Sequence, residues 1–184
     1  MQQEVIISGF GGQGVLFAGQ LLSYAAMDAG KDVTWIPSYG PEMRGGTANC
    51  TVVISDEEIG SPLVKNPTAV IAMNLPSLEK FEDMVNPGGV LVVNSSMVNR
   101  EVNRQDIKVV MLPANDIAEE LGSKRSVNMM MVGALLGNLD LLSIDEMETA
   151  LEAHLPERHK RFLSENKAAL RKGAEYLAKA IAAA

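Results

Sequence analysis

The stretch whose reading decides the fold is Val5-Ile6-Ile7-Ser8-Gly9-Phe10-Gly11-Gly12-Gln13-Gly14-Val15. A short apolar run breaks into glycines, and helical spacing follows at once. Val15, Ala18, Leu22, Ala25, Ala26 and Ala29 recur near the 3.6-residue helical period, and Gly30 is a natural C-cap. Asp32 to Ile36 is β-rich again. Strand, glycine turn, helix and strand within about 30 residues make a βαβ unit, for which a parallel pair is expected.

A second special loop leaves the second strand: Ser38-Tyr39-Gly40-Pro41-Glu42-Met43-Arg44-Gly45-Gly46. In an open α/β sheet, loops at the carboxyl ends of the strands face one crevice. The first loop offers backbone N–H groups at a helix start, where the partial positive charge of the helix favours an anion. The second offers Arg44, whose planar fork suits phosphate or carboxylate. Together they read as a site for a phosphate-bearing ligand.

Further along, Asn49 to Ile54 is β-rich and can pair antiparallel. Ala69 to Met73, Val90 to Val93 and Ile107 to Leu112 read as buried strands. Leu78, Phe81, Met84 and Val85 form one helix face between them. The chain then turns helical, with a short helix over Asp116 to Leu121 and an apolar, buried one over Asn128 to Leu139. Ser143-Ile144-Asp145-Glu146 is a capping-box signal opening the next helix. Leu163, Leu170, Ala174, Leu177 and Ile181 mark a long last helix. The expected architecture is one α/β domain over residues 1–184. It is a layered Rossmann-like domain with a mixed, mostly parallel sheet flanked by helices and a helical C-terminal part.

Composition narrows the chemistry. The 184 residues carry a formal charge of −7, which argues against sequence-independent nucleic-acid binding. Cys50 is the only cysteine, and His154 and His159 are the only histidines. One chain with one thiol cannot hold a four-thiolate iron–sulfur cluster, and a multi-histidine metal site is not expected. The start lacks a basic signal-peptide region, and the longest apolar stretch, Met129 to Leu139, is too short to span a membrane. The expectation is a soluble, cytoplasmic protein.

Gly9, Gly11 and Gly14 have the GxGxxG spacing of dinucleotide-binding turns. A nicotinamide or flavin site also wants an acidic residue at the end of the second strand. That place falls near Ile36-Pro37, while Asp28 and Asp32 sit at the strand's other end. Three readings stay open from the residues alone: another phosphate ligand, an NAD(P)- or FAD-dependent oxidoreductase, and a turn that only packs a helix on a sheet.

The two loops, with Ile59-Gly60-Ser61-Pro62, Asn128-Met129-Met130-Met131-Val132-Gly133-Ala134 and Asn166-Lys167-Ala168-Ala169, give a family resemblance over essentially the whole chain. The sequence resembles the γ subunit of 2-oxoacid:ferredoxin oxidoreductases, with the 2-oxoglutarate type as first guess and branched-chain and pyruvate relatives next. The resemblance implies a subunit without catalysis of its own, contributing a coenzyme A-binding domain. It implies α and β partner subunits, with a possible ferredoxin-like δ subunit, that carry thiamine diphosphate, magnesium and iron–sulfur clusters, with ferredoxin as acceptor. Carried onto this sequence, Gly11, Gly12, Gln13, Gly14 and Val15 would cradle the diphosphate, with Gly9 a further cofactor-binding position of the same loop. Ser38, Tyr39 and Arg44 would line the other wall. Asn128 would serve as a ligand contact or a structural hydrogen bond. A purely structural subunit with a vestigial glycine loop is the alternative within the same reading.

Other features are assigned no chemistry. His154 and His159 flank a helix joint, Cys50 is read as a buried small hydrophobe, and Glu146, Glu148 and Glu152 as the solvated side of a helix. The Met-rich apolar helix suggests docking on a larger partner through apolar surface.

Overall fold

The structure, a computed structural model, describes residues 1–38 and 47–178. Six strands form one sheet: β1 (Gln2–Phe10), β2 (Asp32–Ser38), β3 (Thr47–Ser55), β4 (Ala69–Ala72), β5 (Val90–Asn94) and β6 (Lys108–Leu112), in spatial order β2-β3-β1-β4-β5-β6. β1, β4, β5 and β6 are joined in parallel, and β3 runs antiparallel to both its neighbours. The sheet is therefore mixed and mostly parallel, as expected.

The expected β1–β2 pair does not form. β2 points the same way as β1, but β3 lies between them. The register from Gln2↔Ser55 to Phe10↔Thr47 uses the whole length of one β1 edge, so none is left for β2. The other edge belongs to β4, from Val5↔Ala69 to Ser8↔Ala72.

Side chains alternate across the sheet, and helices cover both sides of its centre, so the strands read as unbroken apolar runs. Val5, Ile7, Ile71 and Val92 enter the larger core, under α1 (Val15–Asp28), α4 (Val127–Leu136), α5 (Ile144–His154) and α6 (Leu163–Ala174). Ile6, Val70, Leu91 and Val93 meet Leu78 and Phe81 of α2 (Leu75–Phe81) in a smaller core on the opposite face. The remaining helix, α3 (Ala114–Glu120), follows β6. α2 stops at Phe81 and continues as a 3₁₀ turn, Glu82–Met84, shorter than the helix face read from the sequence.

Every residue of α4 is buried, and Met129, Met130 and Met131 are fully so. The helix is buried, as its sequence suggests, and is apolar all round because it is interior; its methionines therefore offer no docking surface. α6 crosses it at glycines. A Cβ on Gly133 would overlap the Leu170 carbonyl, and one on Gly173 would overlap the Met130 carbonyl. α6 ends at Ala174, earlier than the apolar spacing suggests, and Leu177 is 73% exposed. Asn138 explains the stop: its Nδ2 donates to the Tyr176 carbonyl at 2.7 Å, and its Oδ1 accepts from the Ala178 N–H at 2.7 Å. Ile181 lies outside the described residues. The capping box is present as read, with the Ser143 hydroxyl accepting from the Glu146 N–H at 3.2 Å and the Glu146 carboxylate accepting from the Ser143 N–H at 2.7 Å. Glu148 is not on a solvated face. It is buried, and Arg171 grips it through two bonds of 2.6 and 2.8 Å.

Candidate binding site

The glycine loop is a tight turn at the carboxyl end of β1. The Gln13 N–H donates to the Phe10 carbonyl at 3.1 Å, and the Gln13 side chain folds back to accept from the Phe10 N–H at 2.6 Å. The same Oε1 takes the Asn74 amide at 3.3 Å, which ties the loop to the end of β4. Gly12 and Gly14 hold φ of +98° and +74°, a region L side chains rarely adopt. Gly9 is a glycine for a different reason: a Cβ there would stand 2.6 Å from Gln13 Oε1 and 2.9 Å from Val15 Cγ2.

α1 starts directly from this turn, with no side chain capping it. Its first-turn N–H groups therefore have no intrahelical partner and no cap. At α4 the Ser126 hydroxyl is committed to Ser123 at 2.7 Å and makes no cap, and one first-turn donor, the Met129 N–H, goes to Asn128 Oδ1 at 3.0 Å. The two helix starts are locked together by Asn128, whose Nδ2 donates to the Gly14 carbonyl at 3.1 Å.

Between them opens a cleft of about 410 Å³, lined by Gly12, Gln13, Gly14, Met73, Asn115, Lys124, Arg125 and Val127. Lys124 pairs with Glu119 at 2.8 Å, with both side chains about 70% exposed, a weak and exchangeable contact. Arg125 forms no ion pair with any described residue, and its guanidinium lies 5.2 Å from the centre of the Phe162 ring. Two positive helix ends and two cationic side chains thus converge on one concave surface, in a chain of charge −7. That arrangement is chemically suited to an anion, offering fixed N–H donors and a charge-assisted fork.

Of the residues read from the sequence, Gly12, Gln13 and Gly14 line the cleft, and Gly11 is exposed at the loop's tip. Gly9 is buried behind the loop. The Val15 side chain is 2% exposed in the core, so this residue offers the cleft nothing beyond its main-chain N–H. Asn128 supports the loop. Ser38 ends β2, two strand spacings (roughly 10 Å) from β1, and does not line the cleft. Tyr39 and Arg44 lie outside the described residues. The sequence reading missed Lys124, Arg125, Asn115 and Met73. The available signal was a basic pair just ahead of an apolar helix that follows the last parallel strand. Cys50 is fully buried, and burial pushes its thiol up to about 11, so it is no nucleophile at neutral pH.

A family model described as Pyruvate ferredoxin/flavodoxin oxidoreductase matches residues 4–176. The chain belongs to this family. The ketoisovalerate oxidoreductase subunit VorA of Methanothermobacter thermautotrophicus is 42% identical over 143 residues, covering 78% of this chain and 29% of VorA. The 2-oxoglutarate synthase subunit KorC of Methanothermobacter marburgensis is 39% identical over 163 residues, covering 85% of this chain and 88% of KorC. The chain thus spans about three tenths of VorA and nearly nine tenths of KorC. Among solved structures, a keto/oxoacid ferredoxin oxidoreductase γ subunit from Geobacter sulfurreducens superposes with a TM-score of 0.84 at 27% identity, over 97% of this chain and 99% of that one. The same fold occurs in a 2-oxoglutarate:ferredoxin oxidoreductase from Magnetococcus marinus, solved with 2-oxoglutarate, coenzyme A and succinyl-CoA. There the TM-score is 0.84 at 24% identity, over 95% of this chain and 30% of that one.

Proposed function

We propose that this chain is the γ subunit of a 2-oxoacid:ferredoxin oxidoreductase and supplies its coenzyme A-binding domain. The complex would decarboxylate a 2-oxoacid oxidatively with coenzyme A, giving an acyl-CoA, CO2 and reduced ferredoxin. The observation that carries the reading is the convergence of two helix starts with Arg125 and Lys124 on one cleft, in a chain of this family. Coenzyme A brings a diphosphate and a 3′-phosphate, which suit that surface, and it needs no acidic residue at the end of β2.

The placement of β3 favours this ligand over NAD(P). A nicotinamide site reads ribose hydroxyls from the strand beside β1. Here β2, the strand that follows α1, is separated from β1 by the antiparallel β3 and ends without an acidic residue. The chemistry of decarboxylation and electron transfer lies on other chains in this reading. One cysteine cannot ligate a cluster, and no group of three or more possible metal-ligating side chains occurs among the described residues. In this reading thiamine diphosphate, magnesium and the clusters are carried by α and β partners and a possible ferredoxin-like δ subunit, with ferredoxin as acceptor. The family's ferredoxin chemistry suggests a cytoplasmic complex. No helix among the described residues is long and apolar enough to cross a membrane. 2-Oxoglutarate is the first substrate to try, since KorC is a 2-oxoglutarate synthase subunit and matches this chain along most of its own length.

Purification of the native chain with its partners, followed by a 2-oxoacid panel with coenzyme A and a viologen acceptor, tests the reading. Co-purifying thiamine- and cluster-binding chains with CoA-dependent activity support it. A chain that comes down alone, binds NAD(P) and transfers hydride would replace it.

A further inference from the structure

The two cations of the cleft stand on one short loop. Ser123, Lys124, Arg125 and Ser126 form a four-residue turn between α3 and α4, closed by the Ser126 N–H donating to the Ser123 carbonyl at 3.0 Å. The serines are its buried feet, 7% and 1% exposed, and the two cationic residues are its exposed tip. We propose that Glu165, on α6 and outside the cleft wall, is the positioning residue that holds this turn, through Ser123 and Ser126, where Lys124 and Arg125 meet the phosphates of coenzyme A. The inference rests on the coenzyme A reading above and adds to it a residue that acts without touching the ligand.

The hydrogen bonds have a direction. Ser123 Oγ lies 3.0 Å from Glu165 Oε2 and 2.7 Å from Ser126 Oγ. An ionised carboxylate only accepts, so the Ser123 hydroxyl donates to Glu165 and accepts from the Ser126 hydroxyl. The chain therefore runs from Ser126 through Ser123 to Glu165, and both buried hydroxyls are satisfied along it. A bond that ends on a charge is stronger than one between neutral groups, and each link polarises the next. The Ser123 N–H also donates to the Ala118 carbonyl at 2.8 Å, which ties the same foot to α3.

Nothing at the tip fixes the turn as firmly. Lys124 reaches Glu119 through a pair open to solvent on both sides, and Arg125 lies over the Phe162 ring from an exposed position; both contacts are weak. Long cationic side chains lose rotamer freedom when they bind an anion, and a loose turn would add its backbone freedom to that cost. Pinned feet remove the backbone share before the ligand arrives. The charge of Glu165 sharpens the argument. Its one side-chain hydrogen bond among the described residues is to Ser123, and it pairs with no described cation. A carboxylate next to a surface suited to phosphates opposes them by its charge, although solvent screens an exposed group. The hydrogen bond and the charge therefore act on ligand affinity with opposite signs, and one substitution separates them.

The test measures kcat and the apparent KM for coenzyme A in the native complex, with thermal unfolding as the control on stability. Glu165→Ala should raise KM for coenzyme A about fivefold and leave kcat and the KM for the 2-oxoacid unchanged. Glu165→Gln keeps an oxygen that accepts from Ser123 and removes the charge, so its KM should stay within about twofold of wild type. Ser126→Ala cuts the same chain at its other end and should raise KM about threefold. In an Arg125→Ala background the effect of Glu165→Ala should shrink to about twofold or less, because the turn then has less to deliver. A wild-type KM in Glu165→Ala or Ser126→Ala overturns the inference and leaves the coenzyme A reading standing. So does an equal fall of KM in Glu165→Ala and Glu165→Gln, which would mark the carboxylate as a charge and not a pin. A wild-type complex whose activity does not depend on coenzyme A would overturn the functional reading, and this inference with it.

Discussion

Gly14 joins backbone and packing in one residue. Its φ of +74° starts α1, its carbonyl receives the Asn128 amide, and a Cβ on it would stand 2.5 Å from Asn128 Nδ2. Gly14→Ala should therefore cost about 1–3 kcal/mol of stability in a urea titration, from backbone strain and the clash together. Arg125 is its opposite: exposed, without an ion pair to any described residue. Arg125→Ala should move the urea midpoint little, within about 0.5 kcal/mol, while weakening coenzyme A about tenfold or more. Cys50 gives a pH prediction. Its thiol is raised from 9.0 to about 11 by burial, so the folded state holds the proton more tightly than the unfolded chain. This contribution is full below pH 9 and is lost as pH rises toward 11, so stability should fall across that window in wild type and less so in Cys50→Ala. A stability curve identical in both would contradict the burial argument. The glycine positions were legible because turn geometry and helix starts are written locally. Lys124 and Arg125 were not, because their place beside Gly14 depends on where α4 packs.

At the scale of elements, the α4–α6 crossing is set by absent side chains. Gly133 and Gly173 let each helix press on the other's carbonyls. Gly133→Ala should destabilise by about 1–3 kcal/mol through overpacking, although alanine has the better helix propensity. A stabilised Gly133→Ala protein would show that the contact is looser than described. Element identity was legible from period: every strand and helix read from the sequence is present, and the capping box starts α5 where Ser143 and Glu146 place it. Two features were not legible. The insertion of β3 between β1 and β2 depends on pairing across the sheet, which periodicity does not encode. The early end of α6 depends on Asn138, far away in sequence, taking the backbone groups of Tyr176 and Ala178.

At the scale of the molecule, all strands except β3 deliver their carboxyl ends to one side, and the glycine loop, the start of α4 and the basic pair gather there. The net charge of −7 is therefore unevenly spread, with Lys124 and Arg125 making the cleft locally cationic. Binding that relies on this surface should weaken as ionic strength rises. The most direct measurement is the apparent KM for coenzyme A of the native complex carrying Arg125→Glu, assayed with its preferred 2-oxoacid and a viologen acceptor. A carboxylate facing the diphosphate should raise KM at least about tenfold and change kcat far less. An unchanged KM in a complex of normal stability would mean that coenzyme A does not use this cleft.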